Sequence, residues 1–183
     1  MKYNNEWLIE RYRQQKDIPF LFFWGHQPAK DGSTTKSCFS QWWVAPFEVD
    51  GIAYKTTEHW MMAGKARLCG DENARQKILA CDTAAQAKKE GRMIQGFDPV
   101  VWDEHKFSIV VEGNLHKFTQ HLELKRFLRG TGEQVLVEAS PDDNIWGIGM
   151  AADDPVTLDP EQWKGCNLLG YALMEVRDKI RGT

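Results

Sequence analysis

The apolar positions of this chain change period several times, and each change marks an element. Residues 5–15 set Trp7, Leu8 and Tyr12 on one side of a short amphipathic helix. The run PFLFFWG, residues 19–25, reads as a buried strand closed by glycine. A polar loop rich in turn formers follows over 26–36. From Ser37 to Thr56 the pattern suggests extended structure, with a hairpin turn at Asp50–Gly51 and an edge strand at Pro46. From Thr57 the period becomes helical, with Thr57 as N-cap and an end near Cys69, ahead of Gly70. DENARQKILAC is a second helix, and Asp82 caps a third through TAAQAKKEGRMI. GFDP is a turn, and a long helical stretch runs from about Trp102 to Leu128, with a break expected near Gly113–Asn114. QVLVEAS, 134–140, alternates like a strand, and PDDNIWGIG, 141–149, is a loop. A polar insertion precedes NLLGYALMEVRDKI, 167–180, a last amphipathic helix with Leu169, Leu173, Val176 and Ile180 on its stripe.

These elements sum to an α+β fold, mainly helical with a small sheet of short strands. Helices do not alternate regularly with strands and no GxGxxG follows a strand, which argues against a dinucleotide-binding Rossmann domain. The chain has 183 residues, enough for one domain with a substantial core. Its net charge of −3 gives no overall electrostatic footprint for nucleic acid. No apolar run reaches about 18 residues, so no membrane helix is expected. The N-terminal MKYNNEWLIERYRQQKD is too polar for a signal peptide, and a cytoplasmic protein is the expectation. Cys38, Cys69, Cys81 and Cys166 are scattered without a CxxC pair, which predicts reduced thiols and no zinc site. The eight tryptophans are the unusual feature, because indoles fill cores but also wall sites for planar ligands.

Three stretches hold candidate chemistry. In YKTTEHWMMAGKA, 54–66, Glu58, Met61, Met62 and Lys65 fall at i, i+3, i+4 and i+7, on one helix face. A carboxylate and an ammonium on a partly apolar face need partners or a cavity. The plainer reading is a first-turn carboxylate that complements the helix dipole and a lysine that snorkels outward. PDDNIWGIG puts two aspartates, a tryptophan and two glycines in a loop after a strand, a common place for a ligand and equally an Asx-rich turn. It lacks the oxygen spacing of an EF-hand. In KGCNLLGYALMEVRDKI, Asn167 stands at the helix start and Gly170 inside it, which suggests either a ligand or a cap with close packing. No HExxH, GxSxG or catalytic-cysteine signature occurs, and no metal or cofactor site is predicted. Carboxylates remain the leading catalytic candidates.

The order of these segments resembles the NADAR, or YbiA-like, family. FSQWWVAPFEVDGIAYKTTEHWMMAGKA, AKKEGR, VWDEHK, DDNIWGIG and NLLGYALMEVRDKI together carry the resemblance across about residues 20–180. It implies a single YbiA-like domain over 1–183, with its core at about 20–180. It also implies an N-glycosidase that hydrolyses the bond between ribose C1 and nitrogen. In the bacterial type the implied substrates are phosphorylated ribosylamino-pyrimidine intermediates of riboflavin synthesis. Other members remove ADP-ribose from guanine in nucleic acid.

By this resemblance Glu58, Lys65 and Asp143 are catalytic positions, and Trp102, Arg92, Trp146, Gly147, Asn167 and Ser40 bind substrate. Gln41 and Trp42 stand where the family often has an asparagine and another aromatic, and the segments 25–36 and 149–165 are longer than usual. Those loops bear on which substrate is taken. In the expected chemistry, Glu58 at a helix N-terminus stays ionised, stabilises charge on C1 and activates water. Asp143 assists, Trp102 stacks on the base, and Arg92 with nearby lysines holds phosphate. A neutral Lys65 would instead allow attack on C1 of an opened sugar through an imine. Two other functions stay open: ADP-ribosyl hydrolysis on nucleic acid, which the acidic net charge disfavours, and non-catalytic binding of NAD or ADP-ribose. No membrane partner is expected, and the sequence leaves the oligomeric state open.

Overall fold

The computed structural model describes residues 1–182. They form seven α-helices and four short strands, a mainly helical α+β architecture, as the pattern predicts. The strands make two separate two-stranded sheets rather than one: β1 (Phe20–Phe23) pairs with β4 (Val135–Glu138), and β2 (Phe47–Val49) pairs with β3 (Ile52–Tyr54).

The residues divide into two compact units, one of Met1–Ser40 with the chain from Glu123 onward, the other Gln41–Leu122. In the first, β1 and β4 are parallel with Phe20 opposite Val135 and Phe23 opposite Glu138. β4 is the buried member: Val135, Leu136 and Val137 have no exposed surface. β1 is half-buried except at Phe23, which is buried. The last helix, α7 (Leu168–Arg181), packs on β4 with Leu169, Leu173, Val176 and Ile180 inward, the stripe read from the sequence. A methyl group on Gly170 would stand 2.1 Å from the Leu136 carbonyl oxygen, so the glycine sets how closely α7 lies on the strand. Arg177, 2% exposed, donates to the Thr131 hydroxyl at 2.9 Å and the Gln134 carbonyl at 2.8 Å. α1 (Asn5–Gln14) is tied to α7 where the Tyr171 hydroxyl donates to the Asn5 side chain at 2.8 Å. Ser37–Phe39, expected to be extended, instead belong to a 3-10 turn over Lys36–Phe39 that buries Cys38 and Phe39. α6 (Leu122–Gly130) buries Leu124 and Leu128.

In the second unit, Asp50–Gly51 makes the predicted hairpin, with Asp50 at φ 53° and Gly51 at φ 76°. Four helices follow: α2 (Thr57–Leu68), α3 (Glu72–Ala80), α4 (Ala84–Gly91) and α5 (Pro99–Gln120). Two caps move by one residue. Thr56, not Thr57, caps α2: its backbone is extended and its hydroxyl accepts the His59 N–H. Thr83, not Asp82, caps α4, because Gln86 three residues on closes a capping box with it. The long helix begins earlier than Trp102, since Asp98 accepts N–H groups of Val100 and Val101 and Pro99 fits the first turn. It does not break at Gly113–Asn114. The chain stays helical there and turns at His121, between α5 and α6. Gly113 has another purpose: a methyl group on it would lie 2.3 Å from the Trp60 ring. The end of α5 is stitched to the hairpin by two hydrogen bonds between the Gln120 side chain and the Glu48 backbone, at 3.0 and 2.8 Å.

Candidate active site

α2 is the centre of the Gln41–Leu122 unit. Every residue from Thr57 to Gly64 is buried, so this helix has no solvent face in its first two turns. Glu58 is its second residue and only 3% exposed. The Glu58 backbone N–H is taken by the Gln41 carbonyl at 3.0 Å, and the Thr57 hydroxyl donates to the same oxygen at 3.2 Å. His59 is fixed on both ring nitrogens, with Nδ1 2.9 Å from the Thr56 hydroxyl and Nε2 3.2 Å from the Cys81 carbonyl. A carbonyl can only accept, so Nε2 carries the proton and Nδ1 accepts from Thr56. Burial pushes this imidazole below its ordinary value, which keeps it neutral. Trp60 donates its indole N–H to the Ile109 carbonyl at 2.8 Å and packs in the core. His59 and Trp60 are thus braces of the helix.

Lys65 lies two turns beyond Glu58, about 10 Å along the axis. Its Nζ donates to the Gly91 carbonyl, at the C-terminal end of α4, at 2.9 Å. It also stands 4.2 Å from the centre of the Phe97 ring and 6.0 Å from that of Trp102. A cleft of about 60 Å³ opens beside it, bounded by Cys69, Asp98, Val101 and Trp102 among others. Burial lowers the Lys65 pKa, while the carbonyl and the ring faces favour the ammonium. Lys65 and Trp102 are therefore brought together, and Phe97 joins them. The sequence pattern hid Phe97 inside the GFDP turn; its position beside the helix-capping Asp98 was the available signal. Arg92 sits at the C-cap of α4 and is exposed. Lys88, one turn earlier, stands 5.8 Å from the Trp42 ring.

A further polar feature of this unit had no motif. α5 carries Asn114 and Lys117 with no exposed surface on either. They lie three residues apart on the inner face, in a stretch whose neighbours Val110, Val111 and Phe118 read simply as core.

Asp143, Trp146, Gly147 and Asn167 gather in the other unit, after β4. Asp143 Oδ1 accepts the N–H groups of Ile145 and Trp146 at 2.9 and 2.7 Å, an Asx-type turn. Gly147 has no room for a side chain, since a methyl group would lie 2.9 Å from the carbonyl oxygens of Asp143 and Glu138. Its own carbonyl accepts the Asn167 N–H at 3.0 Å. Asn167, at φ 51°, starts α7 without a side-chain cap. Its carboxamide instead fastens β4, donating to the Leu136 carbonyl at 3.0 Å and accepting the Glu138 N–H at 3.0 Å. The DxxWG motif and the asparagine before LLG thus form one hydrogen-bonded turn. Ser40 ends the 3-10 turn and is half-buried. Among the described residues no group of three His, Cys, Asp or Glu side chains is placed to hold a metal ion.

The family model described as the NADAR domain matches residues 22–181 of this chain. The mimivirus protein N-glycosidase R617, from Acanthamoeba polyphaga mimivirus, is 41% identical over 165 residues, covering 87% of this chain and 95% of that protein. N-glycosidase YbiA of Escherichia coli is 32% identical over 142 residues, covering 78% of this chain and 80% of its own length. The NMR structure of the E. coli protein YbiA superposes with a TM-score of 0.71 at 28% identity, over 89% of this chain and 85% of that one.

Proposed function

Since the chain belongs to the NADAR domain family and is a hydrolase of N-glycosyl bonds, we propose that it cleaves ribose C1–nitrogen bonds in a phosphorylated ribosylamino-pyrimidine or a closely related nucleotide. The observation that carries this reading is α2, where a buried carboxylate, Glu58, precedes by two turns a lysine, Lys65, held among aromatic rings beside a cleft. Cleavage builds positive charge on C1 and the ring oxygen. Glu58 stabilises that charge and takes a proton from water as it adds to C1; the C1–nitrogen bond breaks, and Glu58 passes that proton to the departing nitrogen and returns to the carboxylate. Trp102, joined by Phe97, offers a flat face to the base, and Arg92 with Lys88 answers the phosphate.

A second route is favoured by one observation, the lowered pKa of Lys65. Its neutral amine adds to C1 of the opened sugar, the base departs, and water hydrolyses the resulting imine. The test is incubation with phosphorylated ribosylamino-pyrimidines, free NAD, ADP-ribose and ADP-ribosylated DNA, with released base measured by chromatography. The pyrimidine substrate is expected to turn over, and Glu58→Gln to lose at least about 10³-fold in kcat with the fold intact. Near-normal turnover by Glu58→Gln refutes the assignment.

A further inference from the structure

The N-terminus of α2 is held from outside the helix. Glu58 is its second residue, and its N–H is one of the groups a helix cannot satisfy by itself. The acceptor is the Gln41 carbonyl, which also takes the Thr57 hydroxyl. Gln41 is in turn fixed by its side chain. It is 6% exposed, its Oε1 accepts from Asn114 Nδ2 at 3.0 Å, and its Nε2 lies 3.4 Å from the Met61 sulfur. Asn114 has no exposed surface and donates its other amide hydrogen to the Val110 carbonyl at 2.9 Å. Both its contacts are acceptors, so the amide has one orientation. Asn114 Oδ1 takes no hydrogen bond among the described residues, so the buried pair carries one unsatisfied acceptor. A chain of bonds thus runs from the rigid middle of α5 through two carboxamides to the backbone of Glu58.

Resting on the reading of Glu58 as the catalytic carboxylate, we propose that Gln41 and Asn114 are positioning residues, a buried carboxamide clamp that sets where the Glu58 backbone, and hence its carboxylate, stands against the ribose. Neither touches the reacting atoms. Their effect passes through the Gln41 carbonyl. Displacing a reacting group by about 1 Å lowers turnover by up to about 10²-fold without weakening substrate binding in proportion.

The experiment is a length exchange. Gln41→Asn withdraws the carboxamide by one methylene and breaks its bond to Asn114. The expected result is a kcat about tenfold to 10²-fold lower with KM within about threefold, and faster exchange of the Glu58 amide hydrogen by NMR. The double variant Gln41→Asn/Asn114→Gln moves the missing methylene to the other partner and is expected to return kcat to within about fivefold of the wild type. A pair that only held the fold would lower Tm and leave kcat and its pH profile unchanged. Full kcat in Gln41→Asn, or a double variant no better than the single one, overturns the proposal. If Gln41→Asn does not fold, Asn114→Ser carries the same kinetic test. Glu58→Gln in the same assay separates the two levels. If it keeps full turnover, the catalytic assignment falls and takes the clamp with it. If it is inactive while Gln41→Asn turns over normally, only the clamp falls.

Discussion

Lys65 is pulled in two directions. Burial disfavours its ammonium, while the Gly91 carbonyl and the Phe97 ring favour it, and burial prevails. At a given pH more of this amine is neutral than of an exposed lysine. Reductive trapping with ribose 5-phosphate and cyanoborohydride should therefore label Lys65 at a lower pH than surface lysines. Peptide mapping by mass spectrometry reads the outcome, and labelling of Lys65 no earlier than the rest would count against an amine route. His59 gives a second pH dependence with a definite sign. Its folded pKa is lowered by burial, so as pH falls the unfolded chain binds the proton first. The stability it contributes is present above about pH 6.5 and is lost as pH falls through the lower folded value. A plot of Tm against pH should drop below about 6.5, and His59→Gln should flatten that part of the curve. An unchanged slope in the variant would assign the loss to other groups.

At the scale of elements, the close approaches are made by small residues whose partners are distant in sequence. Gly170 brings α7 onto β4, and the Asn167 carboxamide bridges two backbone groups of that strand. Gly170→Ala would force a methyl group into the Leu136 carbonyl. We expect a cost of about 2 kcal/mol, seen as a Tm about 5 °C lower. A Tm within about a degree of the wild type would mean that α7 shifts to absorb the methyl group at little cost. Secondary structure was legible here to within a few residues, because the apolar period and the turn residues act locally. The errors trace to contacts distant in sequence. Thr56 and Thr57 are chemically equivalent caps, and only the Gln41 carbonyl, which engages Thr57, decides between them. Gly113–Asn114 looked like a helix break because glycine and asparagine are weak helix formers. In the fold the glycine clears the Trp60 ring and the asparagine bonds to Gln41.

At the scale of the whole chain, one compact unit is built from both ends of the sequence and the other from Gln41–Leu122. The net charge of −3 bears on substrate class. A small phosphorylated ribosyl substrate makes few phosphate contacts, so its kcat/KM should change by less than about threefold between about 50 and 200 mM salt. A nucleic-acid substrate held by several phosphate contacts would lose orders of magnitude over that range. A steep salt dependence on ADP-ribosylated DNA, with turnover exceeding that on the pyrimidine, would move the reading to nucleic acid. Among the described residues no helix is long and apolar enough to cross a membrane.

The sequence by itself determined the helices, the hairpin turn and the mainly helical α+β class. Periodicity, turn chemistry and ordered motifs are properties of neighbouring residues. The pairing of Phe20 with Val135, the two separate sheets, the aromatic surroundings of Lys65 and the Gln41–Asn114 bond were decided only in the tertiary structure. Each joins residues far apart in the chain, and such contacts depend on packing that no local pattern encodes. YKTTEHWMMAGKA shows both sides: its spacing put Glu58 and Lys65 on one helix, and the fold buried the first and set the second beside Phe97 and Trp102.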